Sequence, residues 1–373
     1  MISSMGRMMG IIFSNLYDEE LGELTKERAM ASVPFGGRYR IIDFVLSSMV
    51  NSGISNVGVI TKANYQSLMD HLGKGKEWDL DRKKDGLFIL PPFGAGQKGI
   101  YSGKLDAMCG AIRYIERSTE EYVLISDSNS ICNMDYVPVL ESHLEQGADI
   151  TVITRRHEET SGEVRLAVKA DGSGRIIEAQ TDCEVPAGTL CDCGMYILKR
   201  KFLIELLNAA RERNEKSFRH DVVEKRLSEL DIRSFEFKGR MLTIDSVSSF
   251  FEHNMSLLNK EVRDEIFSQN GEIYTKIRDE VPALYGDECK ISRTLVSDGC
   301  VIDGTVENSI ISRGVTVKRG AVVRNSIIMQ DSEISESAVL DTVIIDKDVM
   351  VTAGKEISGR NDCPLIIRKG ETV

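Results

Sequence analysis

The sequence lacks any long hydrophobic run and any excess of positive charge. No stretch approaches 18 consecutive apolar residues, and the first residues do not combine a basic region with an apolar one. We therefore expect neither a membrane span nor a secretion signal. The net charge of −11 at pH 7 argues against nucleic acid or an anionic membrane as partner. An anionic substrate would then need a local basic patch or a metal ion.

The cysteines lack the spacing of a metal site. Eight are scattered along the chain, and only Cys191 and Cys193 lie close together, in the tripeptide C-D-C. No histidine lies near this pair in sequence, so a zinc site is not expected. Reduced thiols used as small apolar residues are typical of the cytoplasm, which is the expected location.

Length and segment pattern predict two domains. The chain has 373 residues, of which 42% are hydrophobic and 28% charged, and a chain of this length usually divides into more than one core. From residue 8 to about residue 260, predicted strands such as MMGIIFS alternate with predicted helices such as those over residues 39–53 and 104–117. This alternation predicts a Rossmann-like α/β domain with a mainly parallel sheet and helices on both faces.

After about residue 285 the hydrophobic period changes. Apolar residues, mostly β-branched, recur every five or six positions from Ile291 to Ile357, with Gly, Asp, Ser and Asn between them. A helix would repeat at 3.6 residues and a strand at 2, so this spacing favours a parallel β-helix of hexapeptide repeats. An antiparallel sandwich of short strands is the alternative. The predicted divisions are an α/β domain over residues 1–260, a linker over 261–285 and a β-helix over 286–373.

A candidate site lies in the stretch VLISDSNSICNMDY, residues 123–136. Its apolar start predicts a buried strand, and the polar cluster at 126–130 then falls at the rim of the sheet, where ligands of α/β proteins usually bind. The cluster holds one carboxylate, Asp127, whereas metal-assisted phosphoryl chemistry usually needs several acids around a cation. The stretch is therefore either an active site or the remains of one.

Several motifs carry a resemblance to a known family. They are VPFGGRYRIIDFVLSSMVNSGI (33–54), HLGKGKEWDLDR (71–82), GKLDA (103–107) and NMDY (133–136). With the two-domain pattern, they resemble ADP-glucose pyrophosphorylase (glucose-1-phosphate adenylyltransferase) of bacterial glycogen synthesis over essentially the whole chain. The resemblance implies a GT-A-like nucleotidyltransferase domain followed by a left-handed β-helix. It also implies attack by a sugar 1-phosphate on the α-phosphorus of ATP, assisted by Mg²⁺.

The family positions that carry this chemistry hold other residue types here. Aligned on shared flanking residues, the Gly-rich triphosphate loop becomes FSNLYDEEL, in which acidic groups would repel phosphate. The two metal carboxylates become an amide and a hydroxyl, and the phosphate-binding lysines become Ala and Met. These degenerate positions are Asn15, Glu20, Met30, Asn129, Ala179 and Thr243.

Some family positions are retained. Gly103 and Asp106 match a base-contacting turn, although an acid near a helix N-terminus is also explained by the helix dipole. Glu178 and Gly194 match sugar-contacting positions. A phosphorylated sugar or a nucleotide is therefore a candidate ligand.

Four further residues are weaker candidates. Arg38 and Arg40 match a basic segment that lies near the effector region in the family, and a solvated basic loop is the alternative. Asp127 and Asp245 lie close enough in sequence to the lost metal positions to replace them. No retained cofactor is expected, although Mg²⁺ serves the family.

This pattern of losses resembles the GlgD-type subunits of the family. The resemblance implies a regulatory subunit in a hetero-oligomer, a tetramer, with a catalytic GlgC-type subunit that it activates. One alternative is an independently active adenylyltransferase with a rearranged site. Another is an acyltransferase on the β-helix, which is disfavoured because all five histidines precede the repeats and leave them no general base. A third is a binding or sensor module of another pathway.

Overall fold

A nine-stranded sheet organises the first part of the chain in the computed structural model, which describes residues 7–92, 101–158, 161–360 and 363–373. Its strands and two small β-pairs are β1 (Met8–Phe13), β2 (Pro34–Phe35), β3 (Tyr39–Arg40), β4 (Asn56–Ile60), β5 (Gly86–Leu90), β6 (Tyr122–Asp127), β7 (Ser130–Cys132), β8 (Ile150–Arg156), β9 (Ser161–Ala170), β10 (Ile176–Pro186), β11 (Leu190–Lys199), β12 (Ile232–Glu236) and β13 (Met241–Thr243).

Helices flank this sheet. The α-helices are α1 (Ile41–Asn51), α2 (Gln66–Leu72), α3 (Lys104–Gly110), α4 (Ile112–Arg117), α5 (Val137–Gln146), α6 (Arg200–Arg213), α7 (Val247–Ser256) and α8 (Lys260–Ser268). Shorter 3-10 helices span Asp18–Thr25, Met30–Ser32 and Lys76–Trp78, and a π-helical segment spans Phe218–Glu224. The helix expected over residues 104–117 is divided at Ala111, directly after Gly110, a residue that weakens a helix interior.

The sheet is mixed rather than mainly parallel. Strand β1 pairs in parallel with β4 and β6, and β4 pairs in parallel with β5. Strand β11, by contrast, is antiparallel to β6, β8 and β9, and β9 is antiparallel to β10. The connection between β9 and β10 is a short turn, and a short turn can join only antiparallel neighbours. Strand β11 pairs with the other edge of β9 rather than with β10. The expected parallel order therefore holds for the half of the sheet that begins with β1.

The second part of the chain is the left-handed β-helix. Its fifteen strands form three five-stranded parallel sheets, in the orders β14-β17-β20-β23-β26, β15-β18-β21-β24-β27 and β16-β19-β22-β25-β28. They are β14 (Leu284–Tyr285), β15 (Lys290–Ser292), β16 (Leu295–Val296), β17 (Val301–Ile302), β18 (Thr305–Glu307), β19 (Ile310–Ile311), β20 (Thr316–Val317), β21 (Val322–Arg324), β22 (Ile327–Ile328), β23 (Glu333–Ile334), β24 (Val339–Asp341), β25 (Val343–Ile345), β26 (Met350–Val351), β27 (Glu356–Ser358) and β28 (Leu365–Ile367).

The polar residues between repeats turn the corners of this β-helix. Asn308 and Asn325 adopt positive φ angles of 45° and 46°, which Asn tolerates better than most residues. Their side chains stack, because Asn308 Nδ2 donates to Asn325 Oδ1 at 2.8 Å and Asn325 Nδ2 donates to Asp341 Oδ1 at 3.0 Å. Aliphatic residues such as Ile328 and Val323 fill the interior. Each turn of the β-helix passes through all three sheets. The five-to-six-residue spacing thus corresponds to one inward-pointing side chain from each short strand.

The two parts share a buried core. Outward-facing Ile327 and Ile344 of the third β-helix sheet pack in one cluster with Leu21, Leu24 and Phe250 of the first part. Burial of so many aliphatic and aromatic side chains fixes the β-helix against the α/β domain. Among the described residues, no helix has the length and apolar character needed to cross a membrane.

Candidate functional site

The candidate cleft lies where β1 and β6 end side by side. These two strands are parallel, and Phe13 pairs with Asp127 at their carboxyl ends. The chain after β1 runs into the 3-10 helix Asp18–Thr25, and the chain after β6 is the polar cluster found in the sequence. Ligands of α/β proteins usually bind at this edge, so the fold places both suspected segments in one cleft.

Asp127 is buried at the floor of the cleft among three donors. Lys104 Nζ lies 2.7 Å from one carboxylate oxygen, and Arg219 Nη2 lies 3.2 Å from the other. The Tyr17 hydroxyl donates to that second oxygen at 2.7 Å. Burial alone would raise the pKa of Asp127, but the charges of Lys104 and Arg219 hold it below its ordinary value. Asp127 is therefore ionised and balanced by protein cations.

Gly194 makes room for this arrangement. It adopts φ +73°, and a Cβ on it would collide with the Asp127 carboxylate. Lys104, whose pKa is lowered to about 8 by burial, also approaches the Gly194 carbonyl at 3.5 Å. The retained glycine therefore has a structural reason that needs no sugar ligand.

The residues of the cleft do not fit a magnesium ion. Mg²⁺ in such sites needs free carboxylate oxygens, and both oxygens of Asp127 are held by Lys104, Arg219 and Tyr17. Asp245, the second candidate, is an exposed residue at the start of α7. In the described ranges, no group of three or more His, Cys, Asp and Glu side chains could hold a metal ion. We therefore derive no step through a metal.

The two positions aligned with metal carboxylates do lie next to each other. Strands β7 and β13 pair so that Thr243 is opposite Ser130. Asn129 Nδ2 donates to the Ile244 carbonyl at 3.2 Å, and the Ile244 N–H donates to the Asn129 carbonyl at 2.8 Å. The amide of Asn129 thus joins two strands, a role that a carboxylate without a proton could not fill.

The segment aligned with the phosphate loop is held by local hydrogen bonds to Asp18. Asp18 accepts a hydrogen bond from Asn15 Nδ2 at 2.7 Å and another from the Met30 N–H at 2.7 Å. Burial raises the pKa of this carboxyl. The side chain of Asn15 and the backbone of Met30 therefore anchor Asp18, and the second contact does not depend on the Met side chain.

Glu20 is paired with a base that the sequence did not reveal. Its carboxylate forms an ion pair with Arg165, and the Arg165 guanidinium carbon lies 3.8 Å from the centre of the Tyr17 ring. Burial raises the pKa of Tyr17 above its ordinary value, so the hydroxyl stays protonated and donates. An acid at the position of the family arginine is thus matched by an arginine on the facing strand β9.

Arg219 completes the network. Its Nε donates to Asp192 at 2.6 Å and its Nη1 donates to the Tyr17 hydroxyl at 2.9 Å. A charged side chain that is nearly buried must be paired, and Arg219 has two carboxylate partners. The sequence signal was weak: Arg219 lies in SFRHD, directly after Phe218, where an isolated basic residue gives no sign of its distant partners.

Three cavities adjoin this network. The largest measures about 420 Å³ and is polar and basic; its lining residues are Arg165, Thr181, Asp182, Ser217, Arg219 and His220. The second measures about 150 Å³ and is lined by residues that include Phe13, Asn15, Lys62, Tyr101 and Gly103. A third, of about 200 Å³, lies beside Tyr17, Lys104 and Lys216. The cleft therefore keeps space for a small polar ligand.

Of the retained positions, Gly103 alone lines these cavities. It caps α3, and a Cβ there would collide with the Lys216 carbonyl. Asp106, one turn on, accepts from the Ser102 N–H at 3.1 Å, as expected for an acid at a helix start. Gly103 is thus required by close packing as well as by its position.

Glu178 and Ala179 lie away from the cavity lining. Glu178 is exposed and pairs with Lys169 on β9 at 2.8 Å, and Ala179 packs partly buried on the core of the sheet. Thr181 and Asp182, which follow on the same strand, line the large cavity instead.

A fourth cavity, away from the cleft, lies between the two parts of the chain and is strongly basic. It measures about 80 Å³, and its lining residues are Arg38, Tyr39, Arg40, Asp70, His71, Lys276, Arg278, Arg313, Gln330 and Lys347. The structure thus brings Arg38 and Arg40 together with bases from the β-helix. Burial lowers the pKa of Arg40 to about 10 and, together with the charges of Arg40 and Arg28, that of Lys347 to about 7.

Several buried polar atoms around this junction have no hydrogen-bond partner in the described part of the chain. They are Arg28 Nη1, Arg313 Nε and Gln330 Oε1. Buried polar atoms normally have partners. Arg28 Nη1 and Arg313 Nε are donors that could face an anion, whereas Gln330 Oε1 is an acceptor. An anion would also offset the mutual repulsion of the clustered bases.

Comparison with known proteins agrees with both parts of the fold. Residues 10–260 match the family model described as nucleotidyl transferase, and residues 281–362 match the model described as GlmU-like, C-terminal hexapeptide. The chain is 39% identical over 364 residues to the glycogen biosynthesis protein GlgD of Bacillus subtilis (strain 168), which covers 98% of this chain and 96% of that protein. The chain belongs to the GlgD family.

Other relatives connect the GlgD family with enzymes. The glycogen biosynthesis protein GlgD of Geobacillus stearothermophilus is 40% identical over 319 residues, covering 84% of this chain and 82% of that protein. The glucose-1-phosphate adenylyltransferase of Thermosipho africanus (strain TCF52B) is 34% identical over 319 residues, covering 85% and 77%. The resemblance to the GlgD type and the expected fold are thus confirmed.

Proposed function

We propose that this GlgD-family chain serves bacterial glycogen biosynthesis as a regulatory subunit of ADP-glucose pyrophosphorylase and does not catalyse the reaction on its own. The observation that carries the proposal is the neutralisation of Asp127 by Lys104 and Arg219. Protein cations take up the carboxylate that a metal ion would need. The names of the relatives, which include both glycogen biosynthesis protein GlgD and glucose-1-phosphate adenylyltransferase, support the pathway.

The filled phosphate-loop segment supports the same proposal. In adenylyl transfer the triphosphate must be held by donors and cations. Here Asp18 and Glu20 occupy that segment. Asp18 accepts a hydrogen bond from the Met30 N–H, and Glu20 forms an ion pair with Arg165. Binding ATP in this place would bring like charges together and would also break an existing ion pair.

The proposed role requires a catalytic GlgC-type partner in a hetero-oligomer, expected to be a tetramer. An activating subunit needs only to contact two states of its partner differently, and it then shifts the partner towards the more active one.

The eight cysteines all carry free thiols, which fits a protein acting in the reducing cytoplasm.

The test is pyrophosphate release from ATP, glucose 1-phosphate and Mg²⁺. It is measured on this chain alone, on a catalytic GlgC-type subunit alone, and on a titration of one with the other. We expect no turnover by this chain and a rate for the mixture that rises above that of the partner and then saturates. Turnover by the lone chain that is lost in Asp245→Asn, or in Asp127→Asn while that variant remains folded, would instead establish an independently active enzyme with a rearranged site.

The basic junction is the proposed site of an anionic effector, such as a phosphorylated sugar or a nucleotide. Bases from both domains line it, among them Arg38, Arg40 and Lys347. Within the described part of the chain, the buried donor Arg313 Nε at this cavity has no hydrogen-bond partner. An anion bound at this place would contact both domains at once. It would therefore favour one relative position of the two domains over others.

A further inference from the structure

We propose that residues 17–30, here named the strap, couple the cleft to the β-helix, so that loosening either end loosens the other. The strap begins within the segment aligned with the phosphate loop, residues 13–21, and continues to Met30. Its contacts divide between the cleft of the α/β domain and the β-helix. The inference concerns this chain by itself and does not depend on a catalytic partner.

One end of the strap is held in the cleft. The Tyr17 hydroxyl donates to Asp127 at 2.7 Å and accepts from Arg219 Nη1 at 2.9 Å. Glu20 forms its ion pair with Arg165, which also covers the Tyr17 ring. Two elements of the sheet domain, β9 and the π-helical segment, are thus attached to this end.

The other end is held by the β-helix. Arg28 forms a two-point ion pair with Asp346, with Nη2 at 2.9 and 2.7 Å from the two carboxylate oxygens, and both side chains are buried. Glu23 lies 2.5 Å from Arg368, and Glu27 lies 3.7 Å from Lys369. These pairs attach the strap to the loop after β25 and to the chain directly after β28.

Hydrogen bonds and burial hold the strap between its two ends, although its 3-10 helix is kinked at Gly22, where φ is 49° and ψ is −111°. Asp18 is tied to Met30 across the strap by a hydrogen bond of 2.7 Å. Thr25 donates to the carbonyl oxygen of Gly22 at 3.1 Å, within the 3-10 helix. Leu21 and Leu24 are fully buried, in the same cluster as Ile327 and Ile344 of the β-helix.

Charge complementarity explains why the strap holds both bodies. Three of its acids, Glu20, Glu23 and Glu27, face bases that come from the cleft and from the β-helix. Of its two bases, Arg28 faces an acid of the β-helix, and Lys26 pairs with Glu23 within the strap. Each end therefore limits the positions open to the other. Coupling of this kind is reciprocal, because it is one free energy shared by the two ends.

Hydrogen exchange of the full chain tests the coupling. Glu20→Gln removes the charge at the cleft end, and Glu19→Gln, at the exposed neighbouring position, is the matched control. We expect the amides of β25 and β28 to exchange about fivefold faster or more in Glu20→Gln, the lower range of typical coupling energies, and to be unchanged in the control.

The reverse experiment starts from the β-helix. Asp346→Asn removes the partner of Arg28, and Asp348→Asn, an exposed position in the same loop with positive φ, is the control. We expect faster exchange in the 3-10 helix Asp18–Thr25 for Asp346→Asn alone. If Asp346→Asn does not fold, Arg368→Gln breaks an exposed pair at the same end and takes its place.

The outcomes separate coupling from local loosening. Faster exchange at the far end in both directions supports the strap. Exchange that changes only around residues 17–25 and 165 in Glu20→Gln, or only near residues 28 and 346 in the reverse variant, overturns it. Since the measurement uses this chain alone, a negative result in the pyrophosphate assay leaves the strap unaffected, and the converse also holds.

Discussion

At the scale of single residues, each of the main buried acids of the cleft faces a basic side chain. Glu20 is opposite Arg165, and Asp127 is opposite Lys104 and Arg219. A buried charge without a partner is costly, so each of these acids depends on its bases for the stability of the fold. What resembles a weakened active site in the sequence is, in the structure, a well-paired ionic core.

Replacing Asp127 should therefore affect stability. Asp127→Asn leaves Lys104 and Arg219 buried with less compensation, and breaking such a buried pair typically costs about 3–5 kcal/mol. We expect a clearly lower midpoint of the α/β domain in thermal or urea unfolding. Asp245→Asn, on an exposed acid, is the control and should change the midpoint little. Equal midpoints for the two variants would contradict the paired-core description.

The sequence predicted where single positions depart from the family pattern, but not which basic residues pair with the acids of the cleft. The departures from the family pattern at Asn129 and Thr243 rest on an alignment through their flanking motifs, and they stay predictions. Arg165 and Arg219 were missed because each meets its partner across a separation of 145 or 92 residues, and no local pattern encodes such a contact. Contacts made through tertiary packing escape any inspection of neighbouring residues.

At the scale of elements, periodicity was the more reliable guide. The six-residue spacing predicted the β-helix, since each turn must return one aliphatic side chain to the interior. The helix α1 and strand β1 follow directly from their apolar patterns. The antiparallel strands β9, β10 and β11 did not follow, because an apolar strand pattern does not specify the direction of its neighbour. The short turn between β9 and β10 sets their relative direction, whereas the direction of β11 shows only in its tertiary pairing with β6, β8 and β9.

The corner asparagines provide a test of the β-helix element. Asn325 has φ +46° and joins Asn308 and Asp341 by hydrogen bonds. Asn325→Ala should lower the unfolding midpoint of the β-helix by loss of these bonds and by backbone strain of about 1–2 kcal/mol. Asn325→Gly loses the same bonds without the strain, so it should be less destabilising. If Gly is no better than Ala, strain at the corner is not the cause.

At the scale of the whole molecule, the two domains meet around charge as well as around a core. The apolar cluster shared by Ile327, Ile344 and Phe250 holds the domains together. Beside it, bases such as Arg40 and Lys347 from the two sides repel one another. The junction is therefore stabilised at its apolar cluster and destabilised by charge repulsion at its basic cavity. A bound anion would reduce that repulsion.

Anion binding at this junction should depend on pH. Lys347 has a pKa of about 7, so it is mainly charged below that pH and mainly neutral above it, while His71, whose pKa is lowered by burial, contributes little charge. Sulfate, whose charge is constant over this range, should bind up to about tenfold more tightly near pH 6 than near pH 8 if Lys347 must be charged. Isothermal calorimetry measures the difference.

Substitutions of Lys347 separate its charge from the rest of the cavity. Lys347→Arg should keep tight binding and flatten the pH profile, because Arg stays charged. Lys347→Gln should give weak binding at both pH values. A wild-type profile that is already flat would show that Lys347 does not contact the anion.

The paired acids and bases of the cleft also constrain how such a chain can change over evolutionary time. Restoring an arginine at Glu20 would place it against Arg165, and freeing Asp127 for a metal would require the simultaneous loss of Lys104 and Arg219. Each single step towards a catalytic cleft therefore passes through an intermediate with an unpaired buried charge. For the regulatory subunit proposed above, such pairing would oppose a gain of catalysis through stability alone, even where no selection acts on activity.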